Sequence, residues 1–192
     1  MKFTPLTTLN DVIYIEPKLY GDERGYFFES YRQDTFSAAG VTTSFVQVNQ
    51  SHSCKGVLRG LHFQKKPHAQ AKLVRVLAGT IFDVAVDIRP DSPTFCKWDY
   101  AELAAERHDM LYIPEGFAHG FYVTSEVATL SYSCSAIYAP ESEVTIRWDD
   151  PTIDIQWPFE DMPICSEKDN SGIFSDQLKH GSTSSFTNDF SA

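Results

Sequence analysis

The chain lacks an excess of positive charge: 16 Lys and Arg against 26 Asp and Glu leave a formal net charge of −10 over 192 residues. Nucleic-acid phosphates demand a basic face, so this balance argues against such a partner and equally against an anionic membrane surface. A phosphate-bearing small molecule stays open, because a few local arginines suffice to hold it. No apolar run is long enough to span a bilayer. The opening residues, MKFTPLTTLNDV, lack the cationic flank and apolar core of a secretion signal, so a cytoplasmic location is expected. Cysteine is scarce and scattered: Cys54, Cys96, Cys134 and Cys165 form no CxxC pair. In a reducing compartment they read as small core thiols, and a zinc centre built from them has little support. The glycine-rich signatures GxGxxG and the P-loop are also missing.

Helical periodicity is nearly absent too, and what replaces it is a series of short strands. Val12–Gly21 reads as a strand ended by Pro17 and Gly21. Arg24-Gly25 turns into the aromatic segment that runs to Tyr31. Asp34–Ala39 reads as a helical turn stopped by Gly40. From Val46 to Ser51 the valines 46 and 48 share one face, and Gln47, Asn49 and Ser51 the other. Leu73–Leu77 and Ile81–Ile88 flank Ala78-Gly79, which has the look of a hairpin. Further strands are expected at Phe95–Leu103, Leu111–Ile113, Phe117–Val123, Ala128–Tyr138 and Thr145–Trp148. Many short strands separated by glycine and proline point to an all-β sandwich or barrel with short helical segments at its periphery. One domain is expected over residues 1–171. From 172 to 192 the serine- and threonine-rich sequence reads as a loosely held tail.

The chemistry concentrates in VLRGLHFQKKPHAQAK, Val57 to Lys72, where Arg59, His62, Gln64, His68 and Lys72 exceed what a buried strand needs. A histidine exchanges a proton near neutrality, and a nearby lysine faces developing negative charge. Arg59 and His62 have opposite strand parity, which would send them to opposite faces. Gly60 between them permits a bulge.

A second informative stretch is PEGFAHG, Pro114 to Gly120, whose turn delivers His119 onto a strand. It resembles the second motif of the cupin β-barrels, which often bind a metal there. Where their first motif supplies a His-x-His pair, this chain has His62-Phe63-Gln64. A ligand is thereby lost, and a metal-free site is better supported. The strings DERGYFFES (22–30), QVNQS (47–51), GVLRGLHFQ (56–64), PHAQAKLVRVLAG (67–79), DIRPDSPTF (87–95), IPEGFAHGF (113–121) and SEKD (166–169) together resemble the dTDP-4-dehydrorhamnose 3,5-epimerase family, a metal-free cupin branch. The resemblance departs locally. Cys96 stands where glycine is common, Asp149 where asparagine is usual, and Cys165 where an aliphatic residue is expected.

The resemblance implies a jelly-roll-like cupin barrel, a homodimer, no cofactor, and a dTDP-linked 4-keto-6-deoxy sugar as substrate. A ketone at C4 acidifies the hydrogens at C3 and C5. Inversion then needs a base on one face, a stabiliser for the enolate oxygen, and an acid on the other face. The family's base maps onto His62, its acid onto Tyr132, its enolate-stabilising cation onto Lys72, and the carboxylate behind the base onto Asp169. Substrate-binding positions map onto Arg24, Phe27, Glu29, Gln47, Asn49, Arg59, His119, Tyr138, Glu143 and Lys168. The strand from Arg24 to Glu29 is expected to reach into a neighbouring subunit's site. Three alternatives stay open at this level: inversion at only C3 or C5, a non-catalytic sugar-nucleotide-binding cupin, and a metal-dependent cupin enzyme.

Overall fold

The computed structural model describes residues 1–159 and 161–180. Thirteen strands dominate it. In chain order they are β1 (Lys2–Pro5), β2 (Ile13–Glu16), β3 (Tyr20–Asp22), β4 (Gly25–Phe27), β5 (Gln47–Cys54), β6 (Leu58–Gln64) and β7 (Lys72–Ala78). Then follow β8 (Thr80–Asp87), β9 (Trp98–Ala104), β10 (Met110–Ile113), β11 (Phe117–Val123), β12 (Val127–Cys134) and β13 (Glu143–Thr145). The short helices are α1 (Gln33–Ala38), α2 (Glu167–Asn170) and α3 (Asp176–His180). A six-stranded sheet, β1-β2-β10-β7-β12-β5, faces a five-stranded one, β13-β6-β11-β8-β9, and β3-β4 form a separate hairpin. All strand pairs are antiparallel, giving the cupin-like jelly roll expected from the sequence.

Alternation builds three apolar layers. Val74, Val76, Leu111, Ile113 and Leu130 meet Ile81, Ala85, Phe117 and Phe121 between the sheets. Outside the six-stranded sheet, Ile15, Leu73, Met110 and Tyr112 pack under Phe36 of α1 and Val41. Outside the five-stranded sheet, Phe82, Val84, Val86 and Ile88 are covered by Ile146, Ile153 and Leu178. Strand β8 is therefore buried on both faces.

Several expectations need correction. The segment around Ala78-Gly79 is no hairpin, because β7 lies in one sheet and β8 in the other. Gly79, at φ +79°, carries the chain across, and a Cβ there would sit 1.9 Å from the Val127 carbonyl oxygen. At Val46–Ser51, where the alternation left open which face is buried, Val46 and Val48 point outward at 57% and 67% exposure and the amide face turns inward. Residues 172–178, expected to be loose, are packed: Ile173 bridges Ile146, and Ser175 and Leu178 are buried. The rest of the expected tail, 181–192, lies outside the described residues. Cys96, where glycine was the expected residue, has φ +61°, a left-handed backbone that explains the preference for glycine there.

The parity conflict between Arg59 and His62 resolves at Gly60. His62 pairs with His119 and Arg59 with Phe121, so three steps on β6 match two on β11. The extra residue brings both side chains to one cavity. Gly60 adopts φ +132°, and a Cβ on it would lie 2.5 Å from the Gly120 Cα. Gly60→Ala should therefore cost about 2–4 kcal/mol in urea unfolding, from strain plus a clash with backbone. Gly21→Ala, whose Cβ meets its nearest atom at an ordinary 3.7 Å, should change stability by less than about 0.5 kcal/mol.

Candidate active site

A cavity of about 310 Å³ opens between the sheets. Its wall takes Arg59 and His62 from β6, Lys72 from β7, His119 and Phe121 from β11 and Tyr132 from β12. Ser51, Tyr138, Glu143, Ser166, Lys168 and Asp169 complete it. The three groups assigned to proton chemistry, His62, Lys72 and Tyr132, thus share one space.

His62 is held by Asp169, whose Oδ1 lies 2.7 Å from Nε2. Asp169 is 3% exposed and also accepts from the Ser166 hydroxyl at 2.6 Å and the Gly60 N–H at 3.2 Å. Ser166 caps α2, and Asp169 is the third helical residue of that capping box. Burial pushes the carboxyl up, but the His62, Ser166 and Gly60 donors outweigh it and hold the pKa at about 2. An ionised carboxylate only accepts, so Nε2 carries the hydrogen and the second ring nitrogen of neutral His62 is left basic.

A second imidazole–carboxylate pair stands beside the first. His119 Nε2 lies 2.7 Å from Oδ1 of the fully buried Asp83, whose Oδ2 has no hydrogen-bond partner among the described residues. Burial lowers the His119 pKa in spite of Asp83, and nearby Lys72 and His62 lower it further. His119 is accordingly shifted toward its neutral form. Asp83 was not singled out from the sequence, although a carboxylate alternating with Phe82 and Val84 in an apolar strand was a usable signal.

The Lys72 ammonium donates to the His62 carbonyl at 3.3 Å. Burial pushes its pKa down, against the fields of Cys134, Asp83 and Glu143. Tyr132 is pushed up by burial, while Arg59 and Asn49 pull it down. On the opposite wall Lys168 pairs with Glu143 at 2.5 Å, and the Tyr138 hydroxyl donates to the same carboxylate at 2.7 Å. Burial raises the Glu143 pKa, but Lys168 and Tyr138 prevail and hold it below the usual carboxylate range.

Not every residue expected at the site lines this cavity. Gln47 and Asn49 sit behind Tyr132, hydrogen-bonded to each other at 2.9 Å. Arg24 lies on the β3-β4 hairpin, paired with Asp22. Phe27 and Glu29 border a separate depression with Met1, Lys18, Tyr20, Arg32 and Thr35. Ser51, Ser166 and Phe121 line the cavity and were not among the expected residues. Ser51 follows from the same alternation that gave Gln47 and Asn49, and Ser166 from its N-cap spacing to Asp169. Among the described residues no group of three His, Cys, Asp or Glu side chains is placed to hold a metal ion.

Residues 6–176 match the family model described as dTDP-4-dehydrorhamnose 3,5-epimerase. The chain belongs to this family. It is therefore an epimerase, an enzyme of the isomerase class. The dTDP-4-dehydrorhamnose 3,5-epimerase of Salmonella typhimurium is 52% identical over 172 residues, covering 89% of this chain and 94% of that protein. The crystal structure of the Legionella pneumophila dTDP-6-deoxy-D-glucose-3,5-epimerase, in complex with dTDP-4-keto-L-rhamnose, superposes with a TM-score of 0.88 at 46% identity, covering 92% of this chain and 96% of that one. A 3'-monoepimerase from Streptomyces bikiniensis, in complex with dTDP-quinovose, superposes at 0.85 with 33% identity, covering 92% and 89%. One epimerase fold thus accommodates more than one regiochemical outcome.

The Asp169 environment generates a pH prediction. A carboxyl lowered from 3.8 to about 2 stabilises the fold fully above its unfolded pKa and loses that contribution as pH falls from about 4 toward 2. The gap at this buried site is worth about 2 kcal/mol. In urea titrations the advantage of the native protein over Asp169→Asn should be full near pH 6 and shrink by about that amount near pH 2. A difference independent of pH would refute the assignment.

Proposed function

We propose that this enzyme inverts C3 and C5 of dTDP-4-dehydro-6-deoxy-D-glucose to give dTDP-4-dehydro-L-rhamnose, without a cofactor. The observation that carries this reading is the convergence of His62, Lys72 and Tyr132 on one cavity, with His62 backed by an ionised carboxylate. The free nitrogen of His62 removes the hydrogen next to the ketone. The C–H electron pair moves into an enolate whose oxygen the buried Lys72 ammonium stabilises. Tyr132 returns a proton from the other face, and the C–H bond forms at the expense of its O–H bond.

The cavity volume is near the lower end of the range for ligand pockets, about 300–1,000 Å³. That suits the hexose ring, with diphosphate and nucleoside running along the rim. Arg59 and Lys168 supply cations for the diphosphate, Arg59 with a planar fork suited to phosphate oxygens. Neutral His119 serves a sugar hydroxyl. Arg24, Phe27 and Glu29 are assigned to the site of a second copy in a homodimer. In support, Tyr26 and Phe27 are 61% and 67% exposed on a hairpin that projects from the sheets. The four free thiols suit a reducing cytoplasm.

The test is deuterium entry at C3 and C5 in heavy water, read together with product stereochemistry by NMR. His62→Ala should abolish exchange at both carbons, a loss of at least about 10²-fold for a missing general base. Tyr132→Phe should permit exchange while impairing inversion. Silence of the folded native protein at both carbons defeats the reading, and inversion at a single carbon restricts it to a monoepimerase.

Lys72 carries a further expectation. Its ammonium is desolvated for the reaction and not for the fold, so Lys72→Met should abolish turnover while leaving the melting temperature unchanged or higher. A marked fall in melting temperature would assign Lys72 a structural role instead.

A further inference from the structure

Residues 135–142 join β12 to β13 and bring Tyr138 to the cavity. Apolar burial does not hold Tyr138 there, since Ile137 is 61% and Tyr138 49% exposed. The hold is polar and comes largely from one buried side chain. Gln64, the last residue of β6, is 4% exposed. Its Oε1 accepts from the Ala139 N–H at 2.8 Å. Its Nε2 donates to the carbonyls of His68 at 2.6 Å and Ile137 at 3.3 Å. A side-chain amide has one oxygen and two N–H hydrogens, and here main-chain groups engage all three. An N–H can meet only the oxygen and a carbonyl only the nitrogen, so the main chain also dictates which way the amide faces.

The Ile137 carbonyl and the Ala139 N–H belong to the two peptide units on either side of the Tyr138 Cα. Each residue has only two soft backbone dihedrals, so gripping both units fixes Tyr138 φ and ψ and aims its side chain. The far end of the ring is set from the same place. The Tyr138 hydroxyl donates to Glu143 at 2.7 Å, and Glu143 is the cross-strand partner of Gln64. With its hydroxyl so occupied, Tyr138 offers a ligand the face of its ring.

We propose that Gln64 is a positioning residue for substrate recognition, aiming the Tyr138 ring at the cavity through the two peptide units that flank it. Gln64 has the strand parity of His62 yet does not border the cavity, which is the geometry of an indirect role. Position 64 is also that of the second histidine in the cupin His-x-His pair. A neutral imidazole offers one donor and one acceptor, one group short of what the two loops present. The residue that replaces a metal ligand thus fixes a wall of the pocket instead.

This inference rests on the proposed sugar-nucleotide reading, with Tyr138 as a substrate contact, and the experiment separates these claims. Kinetics with dTDP-4-dehydro-6-deoxy-D-glucose compare Gln64→Met in the native chain and in Tyr138→Ala. Gln64→Met keeps length and removes all three bonds. In the native background KM should rise at least about tenfold, part of the roughly 100-fold that a displacement of about 1 Å can cost. The value of kcat should stay near native, because Asp169 still holds His62. In Tyr138→Ala the same substitution should move KM by less than about twofold, since the ring it aims is gone. Gln64→Glu keeps size and the bond from Ala139 but, ionised, has no hydrogen for either carbonyl. It should repeat the pattern, and it serves the comparison if Gln64→Met does not fold. An equal rise in KM in both backgrounds, or a native KM in the Gln64 variants, would overturn the proposal. So would a fall in kcat at native KM, which would make Gln64 a support for His62. If Tyr138→Ala alone keeps the native KM, the ring is no substrate contact and the proposal fails with it. Absence of deuterium exchange in the native protein would defeat the sugar-nucleotide reading itself, and the proposal with it.

Discussion

The buried Asp169 carboxylate is the constraint on which the site depends. A lone charge at that depth would be expensive, yet three donors from three parts of the chain converge on it: the His62 ring, the Gly60 N–H and the Ser166 hydroxyl. The bulge that turns His62 toward the cavity and the helix cap that anchors α2 are therefore joined at one group. Removing it would loosen the base, the bulge and the cap together. Local strand irregularity and catalytic geometry are one arrangement here.

Around that anchor, desolvation sets the chemical character of each neighbour. Burial lowers Lys72 and His119 and raises Tyr132, so each is shifted toward its uncharged form. The fields of Asp83 and Glu143 oppose this at Lys72 and favour the ammonium that an enolate requires. Asp83 acts on Lys72 from a distance, its one hydrogen bond among the described residues being to His119 and its Oδ2 left unpartnered there. Glu143 is by contrast fully engaged by Lys168 and Tyr138 on the opposite wall.

Much of this was legible in the chain. Alternating short strands gave the fold class, and the Val57–Lys72 and Pro114–Gly120 stretches carried four of the residues that line the cavity, Arg59, His62, Lys72 and His119. What was not legible has physical reasons. Ala78-Gly79 has hairpin composition, but whether two strands pair or part between sheets depends on contacts with distant strands. The inward turn of Gln47, Asn49 and Ser51 inverts the usual rule that amides face water, because β5 lies at a sheet edge beside the polar cavity. Arg24 and Phe27 belong to the separate β3-β4 hairpin, with Glu29 just after it, and no strand pairing ties that hairpin to the two sheets that form the cavity. Residues 172–178 looked loose because Ile173 and Leu178 are too few to show a period. They are buried because the five-stranded sheet offers an outer apolar face.

The link between His62 and Asp169 joins positions 107 residues apart, and the later one arrives with the segment that covers that outer face. A nascent chain can assemble both sheets and still own an untethered imidazole. Ribosomes extend chains at about 5–20 residues per second, so competence arrives seconds after the barrel's first strands have emerged. A prematurely terminated polypeptide, however well its strands collapse, carries a base that nothing aims.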